Sequence, residues 1–172
     1  MIERLEKVNV DELTDSFHKI ESKMKWGTVG NNKRRRPDIL LAGVQHSPST
    51  KMSEWFSVFY STKKEDKVNQ LISIYSDSPF EYLINKYNLT RSRFAWLAPG
   101  SCYSFHTDPS PRIHVPLITN DCSFFTFKQG DQLISEYLEP GYVYKVDTTI
   151  LHSFTNAHLT EERLHFFGVS AK

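Results

Sequence analysis

A mainly β fold with helices on its N-terminal side is what this sequence predicts, and three observations carry the prediction. Residues 91–172 break into short β-rich runs: SRFAWLA, YSFHTD, RIHVPLI, SFFTFK, QLISEYLE, YVYKVD, ILHSFTN and RLHFFGVS. Turn signals (PGS, PSP, TND, QGD, PG) separate them, and eight candidate strands in about 80 residues is the spacing of an all-β barrel or double-sheet roll. Within these runs polar and apolar residues alternate. Arg112 and His114 share one face of a strand and Ile113, Val115 and Leu117 the other, while Arg163, His165 and Phe167 share a face of the last strand. Polar groups recurring on one side imply a lined cavity. Residues 1–90 have a different pattern, with apolar positions at helical spacing.

In chain order, VDELTDSFHKIESKMK (10–25) sets Leu13, Phe17, Ile20 and Met24 on one helical face. WGTVGNNKRRRPD (26–38) reads as a loop, and ILLAGVQ and WFSVFYS as short apolar runs that fit either regular structure. EDKVNQLISIYS (65–76) and SPFEYLINKYN (78–88) read as two more helices, the second with Ser78 as N-cap and Pro79 in its first turn. Trp26 and Gln45–His46 are expected in loops that could cover the mouth of the barrel. There is no internal repeat. The expected organisation is one domain over 1–172, with a mixed helical and strand part at 1–90 and a β-roll at 91–172 that carries the functional groups.

Bulk properties remove several function classes. The formal net charge is +1, so no global field steers the chain to nucleic acid or anionic membranes. The single basic cluster, Lys33 to Arg36, reads as a solvated loop. Two cysteines without a CxxC pair make neither a disulfide framework nor a thiolate zinc site. The N-terminus lacks the apolar stretch of a signal peptide, and no apolar run approaches the ~20 residues of a membrane helix, so a cytoplasmic setting is expected.

Chemistry concentrates in SFHTDPSPRIHVPL (104–117). His106 and Asp108 stand at i and i+2, so in an extended segment both side chains project to the same side and can clamp one ion. Taken alone, such a pair is as well read as two hydrogen-bonded strand residues. His152, 46 residues later in another candidate strand, is the best third ligand. Two histidines and one carboxylate leave three coordination positions open, the arrangement of non-heme Fe(II) oxygenases. Arg163 follows His152 by 11 residues. It suits a buried carboxylate ligand, since arginine stays charged and binds carboxylates bidentately, and it equally suits a surface ion pair with Glu161 or Glu162. Trp96 and Phe105 read as core residues before cavity walls, and His165 as a hydrogen-bonded core histidine.

HTD, RIHVPL and LHSFTN followed by an arginine together resemble the aspartyl/asparaginyl β-hydroxylase-like family of Fe(II)- and 2-oxoglutarate-dependent dioxygenases. The similarity covers about residues 91–170, and RxHVPL after HxD is its most specific element. The resemblance implies a double-stranded β-helix core of jelly-roll or cupin-like form. It implies Fe(II) on His106, Asp108 and His152, with Arg163 gripping the distal carboxylate of 2-oxoglutarate and His114 near the metal-side carboxylate. Arg112 would point into the same cavity toward a substrate carboxylate, and Asn156 would orient its loop. Some members that hydroxylate protein side chains carry glycine where this chain has Asp108, so their substrates do not transfer.

The implied reaction consumes O2 and 2-oxoglutarate, releases succinate and carbon dioxide, and hydroxylates an unactivated C–H; ascorbate supports such activity. An Asp, Asn or other residue of a peptide or protein substrate fits, as does a free amino acid such as proline. Two other classes compete: a cupin-like metal enzyme that does not use 2-oxoglutarate, and a non-catalytic binding module with structural histidines.

Overall fold

A computed structural model describes residues 1–29, 36–48 and 64–170. WFSVFYS and Lys33 to Arg35 lie outside the described residues. Thirteen strands are present in them: β1 (Ile2–Lys7), β2 (Gly27–Val29), β3 (Arg36–Gly43), β4 (Gln45–His46), β5 (Gln70–Leu71), β6 (Leu89–Leu97), β7 (Ser101–Cys102), β8 (Arg112–Ile118), β9 (Ser123–Gln129), β10 (Gln132–Tyr137), β11 (Tyr142–Val146), β12 (His152–Asn156) and β13 (Arg163–Ser170). Two α-helices accompany them, α1 (Val10–Ile20) and α2 (Pro79–Lys86). The larger sheet runs β1-β11-β8-β13-β6-β3-β2 and the smaller β10-β9-β12-β7, both antiparallel. This is the jelly-roll core that the strand pattern predicted.

Period-two alternation splits the larger sheet into two faces. Ile113, Val115 and Leu117 of β8, Phe94 of β6, and Leu164 and Phe166 of β13 turn outward into a cluster with Leu13 and Phe17 of α1 and Phe80 and Leu83 of α2. Phe94 lies at its centre, 4.9 Å from the Phe80 ring, 5.4 Å from Phe166 and 5.3 Å from Phe17. Each side chain so buried contributes about 1.5–3 kcal/mol. The inward face holds Ile39 and Leu97 together with Arg112, His114, Arg163 and His165, and it is turned to Phe125, Phe127 and Phe154 of the smaller sheet.

The helices that form have the signals the sequence shows. Asn9 Oδ1 accepts from the Glu12 N–H and caps α1, and Ser78 Oγ accepts from the Glu81 N–H at the start of α2, with Pro79 in its first turn. The first helix stops at Ile20 and tightens into a 3-10 turn, although Met24 is still buried.

Several expectations are overturned. Residues 65–76 form two 3-10 turns around β5 instead of a helix. Their backbone groups bond outward, Ile72 N–H to Val44 O (3.0 Å) and Val68 O to Arg91 N–H (2.6 Å), so tertiary partners replace the helical ladder. YSFHTD is loop with one isolated bridge, His106 to His152. Much of the N-terminal part is sheet, since β1, β2 and β3 all join the larger sheet. Gln45–His46 is not a loop over the barrel mouth. Buried Gln45 receives the Ser92 N–H (2.9 Å) and donates to Leu89 O (3.0 Å), fastening β6 from behind. Trp26 packs on the helical side, 6.3 Å from Phe17. Arg36 of the basic cluster is no solvated loop residue; it binds Asp38 through two nitrogens and donates to Cys102 O (3.0 Å).

One irregularity bears on the site. Phe167 pairs with Arg93 and Val169 with Thr90, so β6 advances three residues where β13 advances two. This bulge sits at Arg91 and Ser92, and Arg91 takes a φ of 52°. Opposite it, a Cβ on Gly168 would lie 2.6 Å from Ser92 Oγ and 3.2 Å from Leu89 Cβ, so no larger residue fits there.

Candidate metal centre

Between the sheets lies a cavity of about 160 Å³, lined by His106, Asp108, Arg112, His114, His152 and Arg93 together with apolar groups that include Leu41, Ala95 and Phe167. The ligand atoms of His106, Asp108 and His152 all lie within 4.8 Å of one another. Chain elements distant in sequence make this convergence. His152 opens β12, and a pair of 2.9 Å backbone hydrogen bonds locks His106 beside it. Asp108 is held by its N–H on Thr148 O (2.8 Å).

The donors fit a divalent cation. His106 Nδ1 lies 2.9 Å from Ser104 O, and His152 Nδ1 lies 2.9 Å from Ile150 O. A carbonyl only accepts, so both Nδ1 atoms carry a proton, and in the neutral ring Nε2 is then the free atom, the tautomer a metal requires. Burial drives the His152 pKa down, with His106 adding to it against the Ile150 hydrogen bond, which favours the neutral ligand form. Burial raises the Asp108 pKa. Hydrogen bonds and charge from Arg112, with the charges of His106 and Arg93, outweigh it and hold the carboxyl below the usual range.

Arg112 is almost wholly enclosed. Its Nε and Nη2 reach Asp108 at 3.2 and 3.0 Å, and Nη2 also donates to Glu65 at 2.6 Å. Arg91 donates to the same Glu65 oxygen at 3.2 Å. The β6 bulge thus lets Arg91 brace Glu65, which braces Arg112, which orients Asp108. One buried nitrogen of Arg112, Nη1, lacks a partner.

Arg163 and His114 sit on the inward face as the alternation predicted. Arg163 is 1% exposed and is not in an ion pair with Glu161 or Glu162. Its Nε donates to His165 Nε2 (3.1 Å), its guanidinium lies 3.1 Å from the Phe154 ring centroid, and its buried Nη1 has no partner. His165 is thereby the hydrogen-bonded core histidine expected. Burial pushes the Arg163 pKa well down. The group remains a cation, and no carboxylate pairs with it among the described residues. His114 lies flat on Phe167, centroids 5.1 Å apart, and burial with the charges of Arg163 and Arg112 keeps it neutral. Asn156, wholly buried, donates to Ala98 O (3.2 Å) and Glu161 O (2.8 Å) and accepts from Ser123 Oγ (3.0 Å), tying three loops together.

Neither Trp96 nor Phe105 lines the cavity. Trp96 faces the helical side and donates to Glu162 (2.7 Å), and Phe105 is exposed. Two participants escaped the sequence reading. Glu65 gave no signal, since only folding brings it to Arg112. Arg93 did give one: a cation on the same strand face as Ala95 and Leu97, at the head of the apolar run FAWL.

No protein-family model and no curated protein matches the chain. Solved structures do share its fold. A 2OG-Fe(II) oxygenase family oxidoreductase from Burkholderia pseudomallei superposes with a TM-score of 0.59 at 11% identity, covering 99% of this chain and 88% of that one. A Pseudomonas putida prolyl-4-hydroxylase gives 0.56 at 12% identity, covering 99% and 92%. HygX from Streptomyces hygroscopicus, solved with nickel, 2-oxoglutarate and hygromycin B, gives 0.56 at 10% identity, covering 98% and 83%.

Proposed function

We propose that this chain is an Fe(II)- and 2-oxoglutarate-dependent dioxygenase of the aspartyl/asparaginyl β-hydroxylase-like kind that hydroxylates an amino-acid side chain. The observation that carries the reading is the convergence of His106, Asp108 and His152 at the cavity, both imidazoles with Nδ1 on a carbonyl so that Nε2 is left for the ion, while Arg163, a buried cation without a carboxylate partner among the described residues, stands on the same inward face of the larger sheet. Bound iron and 2-oxoglutarate would supply the oxidising power for C–H hydroxylation. The chain's residues do the rest. His106, Asp108 and His152 hold the ion and leave the remaining positions open. Arg163 takes the far carboxylate of the cosubstrate, with the neutral His114 ring beside its near end. Leu41, Ala95 and Phe167 keep water from the reacting carbon.

The substrate reading spans an Asp or Asn residue in a peptide and a free amino acid such as proline, and a cavity of about 160 Å³ suits either side chain. The test is succinate formation from 2-oxoglutarate under air with Fe(II) and ascorbate, in wild type and His106→Ala. Turnover that disappears in the variant supports the reading. Turnover indifferent to His106 overturns it. Tight binding of 2-oxoglutarate that is lost in Arg163→Ala counts against a cupin-like enzyme whose arginine has no ligand, and a wild type that does not bind 2-oxoglutarate favours it.

A further inference from the structure

Arg93 is the odd residue of the cavity. It projects from β6 on the inward face, its residue 9% exposed, with its Nε buried and unpartnered. Its contact is with a ring, the guanidinium 4.8 Å from the Phe167 centroid. The other lining cation, Arg112, has Glu65 and Asp108, and Arg91 has Glu65, whereas Arg93 forms no ion pair among the described residues. Burial, with the charges of Arg91 and Arg112, pushes its pKa down to about 9. A buried cation without a counter-charge is costly.

Arg93 is also placed apart from Arg163. The strand register sets Phe167 between Arg93 and His114, and Arg163 lies four residues back along β13, about 13 Å at the rise of a strand. Arg93 lines the cavity and Arg163 does not, and Arg112, expected to take a substrate carboxylate, is already engaged by Asp108 and Glu65.

We propose that Arg93 binds the carboxylate of the substrate and so restricts this enzyme to acids. The inference rests on the oxygenase reading for what happens to the substrate, but not for the binding itself. The planar guanidinium suits a carboxylate bidentately, and the small, half-apolar cavity suits the carboxylate of a free amino acid or of an acidic side chain in a peptide.

The experiment compares L-amino acids with their carboxamides, and capped Asp peptides with capped Asn peptides. Calorimetry with Mn(II) and 2-oxoglutarate reads the binding, in wild type, Arg93→Lys, Arg93→Gln and Arg93→Met. At least one acid should bind wild type about tenfold or more tightly than its amide, as expected for a charge-assisted pair. That preference should collapse in Arg93→Gln and partly survive in Arg93→Lys. Preference confined to free amino acids identifies a small-molecule substrate, and preference for Asp over Asn peptides a peptide substrate. The ligand-free Arg93→Met protein should melt higher than wild type, because the unpaired charge is gone, whereas a merely structural arginine would lower the Tm. Binding of acid and amide alike, preference intact in Arg93→Gln, or a wild type that binds none of the panel overturns the assignment. The visible charge-transfer band of anaerobic Fe(II) and 2-oxoglutarate, recorded in parallel, separates the two ideas. Its absence in wild type with acid preference retained sinks the oxygenase reading and leaves Arg93 assigned, and its presence with no acid preference does the reverse.

Discussion

The two faces of the larger sheet are made by the same strands and follow opposite rules. On β8, Ile113, Val115 and Leu117 enter a close-packed apolar layer beneath the helices, while Arg112 and His114, at the intervening positions, enter the cavity. The outward face is mostly apolar, though Tyr75 Oη is buried there without a partner. On the inward face Arg163 Nη1, His165 Nδ1, His114 Nδ1, Arg112 Nη1 and Arg93 Nε are all buried without partners. Native proteins leave few such groups. Arg93, Arg112 and His114 among them line the cavity, where a ligand would meet the unpartnered atoms.

That contrast can be tested by equal treatment of the two faces. The largest stability effect is expected outside: Phe166→Ala, in the aromatic cluster with Phe80 and Phe94, should cost about 3–5 kcal/mol in denaturant unfolding. An inward truncation of comparable size should do the opposite. Arg163→Met is expected to leave stability unchanged or raise it by about 1 kcal/mol, while 2-oxoglutarate binding, followed by calorimetry with Mn(II), falls more than about tenfold. A large loss of stability in Arg163→Met would erase the distinction between the faces. Glu65→Gln sharpens the comparison within the inward face, because it removes only the brace behind Arg112 and Asp108. It should weaken Mn(II) binding by about 10- to 100-fold, the cost of disturbing a ligand's outer support, and unchanged affinity would show that the brace is idle.

The smallest effect belongs at the rim of the helical side. Hydrogen bonds from Lys86 and Tyr87 hold the Glu6 carboxyl below its usual range. A depressed carboxyl contributes stability that is full above its unfolded value, near pH ~4.3, and is lost as the pH falls through its folded value. Glu6→Gln should therefore narrow the gap in urea unfolding free energy between pH 7 and acid, by less than about 1 kcal/mol for so exposed a pair.

Much of this arrangement was legible in the chain. The strands β8 to β13 stand out because alternation and turn residues agree there, and in β8 and β13 the strand limits match the sequence runs residue for residue. His106, Asp108 and His152 were selected by spacing and residue type, and the structure brings them together. Residues 65–76 misled because Val68, Ile72 and Tyr75 bury at helical intervals, with Leu71 partly buried beside them, a spacing that successive turns and a two-residue strand satisfy as well. Strand β1 has no clear period-two burial, as its neighbour β11 lies 140 residues away and decides its conformation. Glu65 was invisible for the same reason: its role depends on a partner 47 residues distant.

The position of β13 has a consequence for how the molecule assembles. It is the last of the described strands to leave the ribosome, yet it stands in the middle of the larger sheet, between β8 and β6. Until it arrives, those two strands present unpaired edges to each other across an open slot, and Phe94 and Val115 lack the neighbour that covers them. Nearly all contacts that close the slot are long-range, which makes closure slow and leaves the nascent chain prone to edge-to-edge pairing in the interval. Arg163, His165 and Phe167 arrive with that same strand, so the inward face beside the cavity and the completed sheet come into being in one step.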